Sequence, residues 1–495
     1  MKADRHTPPG GTVRDWLDHR ASGDRTAFVF TDDNAPLSWP DLVAAARHIA
    51  LALTAAGTRR GESVAILHPN GRAGVLAFFG AVYGGFRATM INLAAGNDAI
   101  AYALEHCEAR VALVHDSVAG VFEATRPAHM TRFQVPETSP DAELHAVSPG
   151  DHALLMYTSG TTGRPKGVVH TQSSLLAGGW TATVAHDLSP ADRGFCVLPI
   201  CHINGLCVSL MGALVSGGSV AMCPKFSASR FWEQVAETGA TWFSVVPTII
   251  SHLLHSETLP DDGTRTRLRF ARSASSALAP DVQTAFEERF GVPVIETMGL
   301  TETAAQILSN PLPPAERRIG SPGIAWGNDV SVLTPQMAEC APGEEGEIVV
   351  RGPSVMLEYL KNPEATSQTF YGDWLRTGDL GRRDADGYLF VTGRLKELII
   401  KGGENIAPRE IDEALYSHGD VIEAAAFARP CKTYGERVEA AVRVRDGSGL
   451  SDGELIRICI EKLGRFKAPE RIHFLSELPK GPSGKIQRLR LADLI

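Results

Sequence analysis

The chain has 495 residues, of which 44% are hydrophobic and 21% charged, and a formal net charge of −9. That length predicts two to four domains with enough core to fold unaided, and the acidic balance argues against a general nucleic-acid binder. Eight cysteines (107, 196, 201, 207, 223, 340, 431 and 459) form no C-x-x-C pair, which fits free thiols in a reducing, cytoplasmic setting better than a disulfide frame or a zinc site.

The N-terminal MKADRHTPPGG is polar and has no apolar signal core. Leu37 to Thr54 carries a helical pattern, with Ser38 as N-cap and Pro40 in the first turn. Ser63 to Leu67 is expected as a buried strand, Ala73 to Tyr83 as an apolar helix and Val111 to His115 as a further strand. This alternation predicts an α/β lobe of mostly parallel sheets covered by helices.

Ala153 to Met156 reads as a buried strand. It leads into YTSGTTGRPKGVVH, Tyr157 to His170. The segment concentrates hydroxyls (Thr158, Ser159, Thr161, Thr162), glycines (Gly160, Gly163) and Lys166, and Ser173 to Ala177 is expected to start a helix beyond it. Glycines allow close backbone approach, hydroxyls and N–H groups donate to phosphate oxygens, and the lysine adds a point charge. A strand, a glycine-rich loop and a helix suit a phosphate-binding loop. Pro165 before Lys166 and Gly167 after it exclude a Walker A ending.

Gly194 to Pro224 contains no Asp, Glu, Lys or Arg, yet Pro199, His202, Asn204, Gly217 and Gly218 interrupt it. A membrane span needs roughly 20 continuous apolar residues, so this stretch is expected as buried strand, loop, helix and strand. Short strands recur at Trp242 to Val246 and Val292 to Glu296. From about Ile319, Gly and Pro turns separate short strands at Val330–Leu333, Gly346–Arg351 and Tyr388–Thr392, the pattern of a small β-rich subdomain. Beyond Leu398 a compact α+β unit is expected, with helices at Ile411–Tyr416 and Gly453–Leu463 and strands at Ala424–Ala428 and Ala440–Val444. Lys462 to Arg490 holds eight basic residues against two acidic ones. That run is either a solvated face or a basic lobe that closes over a polyphosphate.

Four further segments accompany the phosphate loop: ETMGLTET (Glu296–Thr303), WLRTGDLGRRDADGYLFVTGRLKELI (Trp374–Ile399), IKGGENIAPREID (Ile400–Asp412) and LPKGPSGKIQR (Leu478–Arg488). In order and spacing they resemble the adenylate-forming superfamily of acyl-CoA synthetases, peptide-synthetase adenylation domains and luciferases, from about Leu37 to the C-terminus. The resemblance implies a large lobe, 1–395, and a small mobile lobe, 396–495, hinged at Lys396. It also implies a two-step reaction: a carboxylic acid is joined to the α-phosphate of ATP, then passed to coenzyme A with release of AMP. Such chemistry needs cations and oriented donors around an in-line transition state.

Residue by residue, the resemblance makes Lys485 the adenylation lysine and Glu302 the Mg²⁺ ligand, a hard oxygen donor for a hard cation. It places Thr301 at the α-phosphate, Asp379 and Arg394 at the ribose, and Ser275, Glu296, Thr297, Met298 and Gly299 around the nucleotide. Gly402 and Gly403 would line the CoA passage, with Tyr434 at the CoA adenine and Lys467 at a CoA phosphate. His202 in LPICHINGL would gate the acid pocket. Taken singly, several of these have ordinary readings: a tail lysine, a β-turn, a structural histidine, a surface tyrosine.

Three segments depart from the family pattern. Met298 stands where an aromatic usually packs on adenine. In SASSALAP (Ser273–Pro280), Ala274 replaces glycine, and Ser275 and Ser276 replace alanines. Cys201 stands where a bulky apolar residue is common. The serine pair points to a polar acid. Trp180, Phe226, Phe231, Trp242 and His202 are further candidates for the cavity wall. The expected substrate is a small or medium acid, aryl or polar, and the expected assembly a monomer or homodimer without a membrane span. Two rival functions remain at this stage: transfer of the activated acid to an amine without CoA, and a catalytically inactive nucleotide-binding module.

Overall fold

The structure, a computed structural model, describes residues 4–158, 165–481 and 484–495. Ser159, Gly160, Thr161, Thr162 and Gly163, the centre of the expected phosphate loop, lie outside the described residues.

Two large sheets share one apolar core. The first has seven strands. In it Ser63–Leu67, Arg87–Met90, Val111–Val114 and His152–Thr158 run parallel, and Lys166–Thr171 returns antiparallel to the last of them. The second has nine, with a parallel centre of Arg193–Cys196, Ser219–Met222, Trp242–Val245, Phe270–Ser273 and Val294–Leu300. Helix Gln172–Ala185 touches strands of both sheets and is buried along nearly its whole length. A helix between two sheets has no solvent face, which explains its lack of any polar stripe. Helix Trp39–Ala55 starts on the Ser38 cap, whose hydroxyl accepts from Asp41 N, with proline in its first turn.

Before helix Gln172–Ala185 comes the strand Lys166–Thr171, antiparallel to His152–Thr158 with Thr158 paired to Lys166. The helix then begins at Gln172 on a Thr171 capping box. The stretch from Gly194 folds as expected into strand, loop, helix and strand, its helix opening with a π-helical stretch, Asn204–Met211. Among the described residues no helix is long and apolar enough to cross a membrane.

Strands Asp329–Leu333, Glu345–Arg351, Trp374–Arg383 and Leu389–Arg394 form a separate antiparallel sheet. The last unit pairs the long strands Val421–Cys431 and Gly435–Val444 and packs helices Pro408–Tyr416 and Asp452–Leu463 over a core of its own. The chain passes between these two sheets in the short segment from Arg394 to Ile399, which contains Lys396.

Candidate active site

The carboxyl ends of the parallel strands Trp242–Val245, Phe270–Ser273 and Val294–Leu300 open onto a cavity of about 220 Å³. Carboxyl ends of open α/β sheets are where such folds bind ligands, because the strand-to-helix connections there can vary without disturbing the core. Val246, Ser275, Ser276 and Glu296 to Gly299 line one wall, Asp379 and Arg394 the floor, and Asp412, Gly484 and Lys485 the wall contributed by the C-terminal unit.

Asp379 and Arg394 face each other across neighbouring antiparallel strands. Arg394 Nε donates to Asp379 Oδ1 at 2.5 Å, and Nη2 to Oδ2 at 3.4 Å. Burial works against the Arg394 charge, but Asp379 outweighs it and holds the guanidinium pKa above its usual range. Gly378 precedes the aspartate with φ +72°, a left-handed turn that glycine adopts without strain, and its N–H donates to Glu347 Oε1 at 3.1 Å.

Lys485 lines the same cavity as this pair. Its carbonyl accepts from Gly481 N at 2.7 Å, and Thr248 of helix Pro247–Leu254 donates to Gly484 O at 3.1 Å. The loop is thereby pinned to the large lobe. Burial lowers the Lys485 pKa, Arg394 lowers it further, and Glu397 and Asp379 pull the other way. A partly desolvated ammonium beside two carboxylates and an arginine is suited to bridging two anionic reactants.

Thr301 and Glu302 sit in a single helical turn after strand Val294–Leu300. Tyr359 OH donates to Glu302 Oε1 at 2.8 Å, and Lys166 Nζ lies 4.4 Å from the centre of the Tyr359 ring. His170 Nε2 meets Thr301 O at 2.6 Å while Nδ1 faces Ser174 Oγ at 3.1 Å. Burial drops the His170 pKa to about 4, so the ring is neutral and the partners assign its proton to Nε2. The tertiary fold therefore brings Lys166, Thr301 and Glu302 together. Their supports, Tyr359 and His170, were not singled out in the sequence. A His closing the loop motif was a signal for one of them, and nothing local marked the other. Glycine at 299 is required sterically, since a Cβ there would lie 1.5 Å from Ala305 O.

Glu296 is 2% exposed; its Oε1 accepts from Leu278 N at 3.2 Å, its Oε2 has no partner, and burial raises its pKa. Thr297 uses its hydroxyl on Ser273 O at 3.2 Å, which ties two strands together. Met298 lines the cavity and packs against the core beneath the small β-sheet. His202 is largely enclosed, its Nε2 lacks a partner, and burial lowers its pKa to about 4. Trp180, Phe231 and Trp242 are buried core residues and Phe226 packs half-buried against the core, so none of the four forms the cavity wall.

Gly402, Gly403, Tyr434 and Lys467 lie on the C-terminal unit away from this cavity. The glycines turn with φ +61° and +89°, Gly402 N donates to Tyr434 O at 2.8 Å, and a Cβ on Gly402 would touch the Tyr434 ring at 3.4 Å. Lys467 pairs with Glu410 at 2.7 Å. Lys396 follows the strand that ends at Arg394.

Residues 16–360 match the AMP-binding enzyme family, and residues 410–485 match the AMP-binding enzyme C-terminal domain. The chain is 45% identical over 486 residues to sulfoacetate–CoA ligase of Cupriavidus necator, covering 95% of both chains. ATP-bound MatB from Rhodopseudomonas palustris superposes with a TM-score of 0.89 at 28% identity, covering 98% of each chain. The o-succinylbenzoate coenzyme A synthetase of Bacillus subtilis, in complex with ATP and magnesium, gives a TM-score of 0.85 at 30% identity over 96% of this chain and 98% of that one. Family matches over both lobes, together with a relative this similar along its whole length, make this chain a member of the AMP-binding enzyme family, of the adenylate-forming CoA-ligase type.

Proposed function

We propose that the protein activates a small carboxylic acid with ATP and passes it to coenzyme A, giving acyl-CoA, AMP and pyrophosphate. The observation that carries this reading is Lys485: a lysine of the C-terminal unit enters a cavity of the large lobe beside the Asp379–Arg394 pair. In the first step a carboxylate oxygen attacks the α-phosphorus of ATP and pyrophosphate leaves. Lys485 neutralises both anions as they meet, Thr301 is held by His170 at the α-phosphate, and Asp379 accepts from the ribose hydroxyls with Arg394 fixing its orientation.

Glu302 suits a magnesium ion. One of its oxygens is held by Tyr359, Lys166 stands nearby, and no cluster of three acidic, His or Cys ligands occurs among the described residues. Magnesium characteristically takes one or two carboxylates and completes its shell with substrate phosphates and water. When bound, it would offset phosphate charge on the departing pyrophosphate.

In the second step the CoA thiolate attacks the acyl carbonyl and AMP departs. Gly402, Gly403 and Tyr434 form one face, outside the cavity in this structure. Rotation of residues 396–495 about Lys396 would exchange Lys485 for that face. The eight cysteines are all free thiols, six of them buried, which supports a reducing, cytoplasmic location.

ATP–pyrophosphate exchange across a panel of small acids tests the first step, and AMP release with and without CoA tests the second. Exchange with at least one acid and CoA-stimulated AMP release are expected. Absence of exchange with every acid would point to an inactive nucleotide-binding module. Stimulation by an amine but not by CoA would move the acceptor to nitrogen.

A further inference from the structure

Arg272 ends strand Phe270–Ser273 one residue short of its tip and is 2% exposed. A guanidinium so deeply placed normally pairs with a carboxylate, because an uncompensated buried charge costs several kcal/mol. Arg272 has no such partner: it forms no ion pair among the described residues, and no carboxylate offsets the burial that lowers its pKa to about 9. It donates only to neutral acceptors, Gln306 Oε1 at 3.2 Å, Asn204 Oδ1 at 2.7 Å and Ser244 Oγ at 3.0 Å.

These bonds have a direction. With Asn204 Oδ1 occupied by the guanidinium, the Asn204 amide turns its Nδ2 donor to Ser275 Oγ at 3.3 Å. Ser275 Oγ thus acts as acceptor, which leaves its own hydrogen to donate onward, and Ser275 lines the cavity. Ser275 also holds φ +74°, a left-handed conformation that is strained for a serine and that persists only where surrounding structure fixes it. Two residues before Asn204, the enclosed His202 Nε2 has no partner. The result is a chain of aligned donors running from a buried, unneutralised cation to one end of the acid cavity.

We propose that this end of the cavity binds a second anionic group on the acid, a sulfonate or carboxylate, through Ser275, oriented by Asn204 and backed by the charge of Arg272. The inference rests on the acid–CoA ligase reading and sharpens it: Lys485 meets the carboxylate that is activated, and the Arg272 relay selects acids that carry another anion. Ser275 is thereby reassigned from the nucleotide to the acid.

The test is ATP–pyrophosphate exchange with matched acids. Sulfoacetate is compared with propionate, and malonate and succinate with their monomethyl esters. The wild-type enzyme is expected to prefer a charged member of at least one pair by about 10²-fold or more in kcat/KM, since a charge-assisted site rejects an analogue that leaves its donors unpaired. The sulfonate and dicarboxylate arms tell which anion fits. In Arg272→Met that preference should fall to within about threefold, while Arg272→Lys retains part of it. Equal use of charged and uncharged members by the wild type would overturn the inference. So would an Arg272→Met enzyme of unchanged ATP-bound melting temperature that keeps the preference. Should that variant not fold, Arg272→Gln, which keeps donors without the charge, serves in its place, and the wild-type preference still decides. Absence of exchange with every acid would instead remove the ligase reading on which the inference stands.

Discussion

At the residue scale the site is a set of buried charges whose environments set their chemistry. In its proposed role Lys485 acts only while protonated, and burial together with Arg394 lowers its pKa. Adenylation should therefore lose rate on the alkaline side, with a descending limb below the ordinary lysine value of 10.5, as read from the pH profile of pyrophosphate exchange. Lys485→Ala should reduce exchange by roughly 10³-fold or more but leave thioester formation from supplied acyl-adenylate within a few-fold. Equal loss of both half-reactions would remove the lysine from its assigned step. Met298 offers a gain instead. It lines the cavity, and if it stands beside adenine as proposed from the family pattern, Met298→Tyr should lower KM for ATP by about 2- to 10-fold, the worth of an aromatic stack. These residues were legible because each sits inside a motif. Tyr359 and Arg272 were not, because their partners lie far off in sequence: Glu302 is 57 residues from Tyr359, and Asn204 is 68 from Arg272.

At the element scale the informative feature is the seam between helix Pro247–Leu254 and strand Val421–Cys431. Ser251 Oγ donates to Ile422 O at 2.6 Å, His252 Nε2 lies 3.1 Å from Glu423 Oε1, and Thr248 holds the Lys485 loop. Glu423 is fully buried, and Lys480 at 2.8 Å from the same unit shares its charge. This seam holds the C-terminal unit with Lys485 inward. Ser251→Ala combined with His252→Ala should slow adenylation several-fold and spare the thioester step, measured as separate half-reactions. Lys396→Pro tests the complementary motion. Fixing φ near −65° at this proposed hinge should retain pyrophosphate exchange and suppress CoA-dependent turnover by about 10²-fold. Most elements were readable to within a residue or two, since Ser38 and Pro40 mark one helix start and apolar runs mark the buried strands. The helix expected to start at Ser173 begins one residue earlier, at Gln172, while the pairing of Lys166–Thr171 with His152–Thr158 depends on register that no local pattern carries.

At the scale of the whole molecule, buried histidines couple protons to stability, His170 and His186 among them. Burial lowers the pKa of His170 to about 4 and of His186 to about 3, against an ordinary value of 6.5. Below pH 6.5 the unfolded chain therefore takes up protons that the folded chain refuses, so stability rises with pH and is lost as pH falls. Each should cost about 3 kcal/mol by pH 4. Urea midpoints measured from pH 7 to pH 4 should fall accordingly, and His186→Gln should flatten that slope by about one proton. Caps and apolar periods, being local properties of a chain, were enough to assign the α/β class, while the two-lobe order and the adenylating chemistry were implied by the family resemblance of the contiguous motifs. The tertiary structure alone decided which side chains converge. It placed Lys485 against Asp379 and Arg394, sent four expected cavity aromatics to the core or its margin, and left Arg272 charged without a carboxylate behind Ser275. Such pairings depend on how strands from distant parts of the chain register in one sheet, and burial of a charge is a property of everything packed around it.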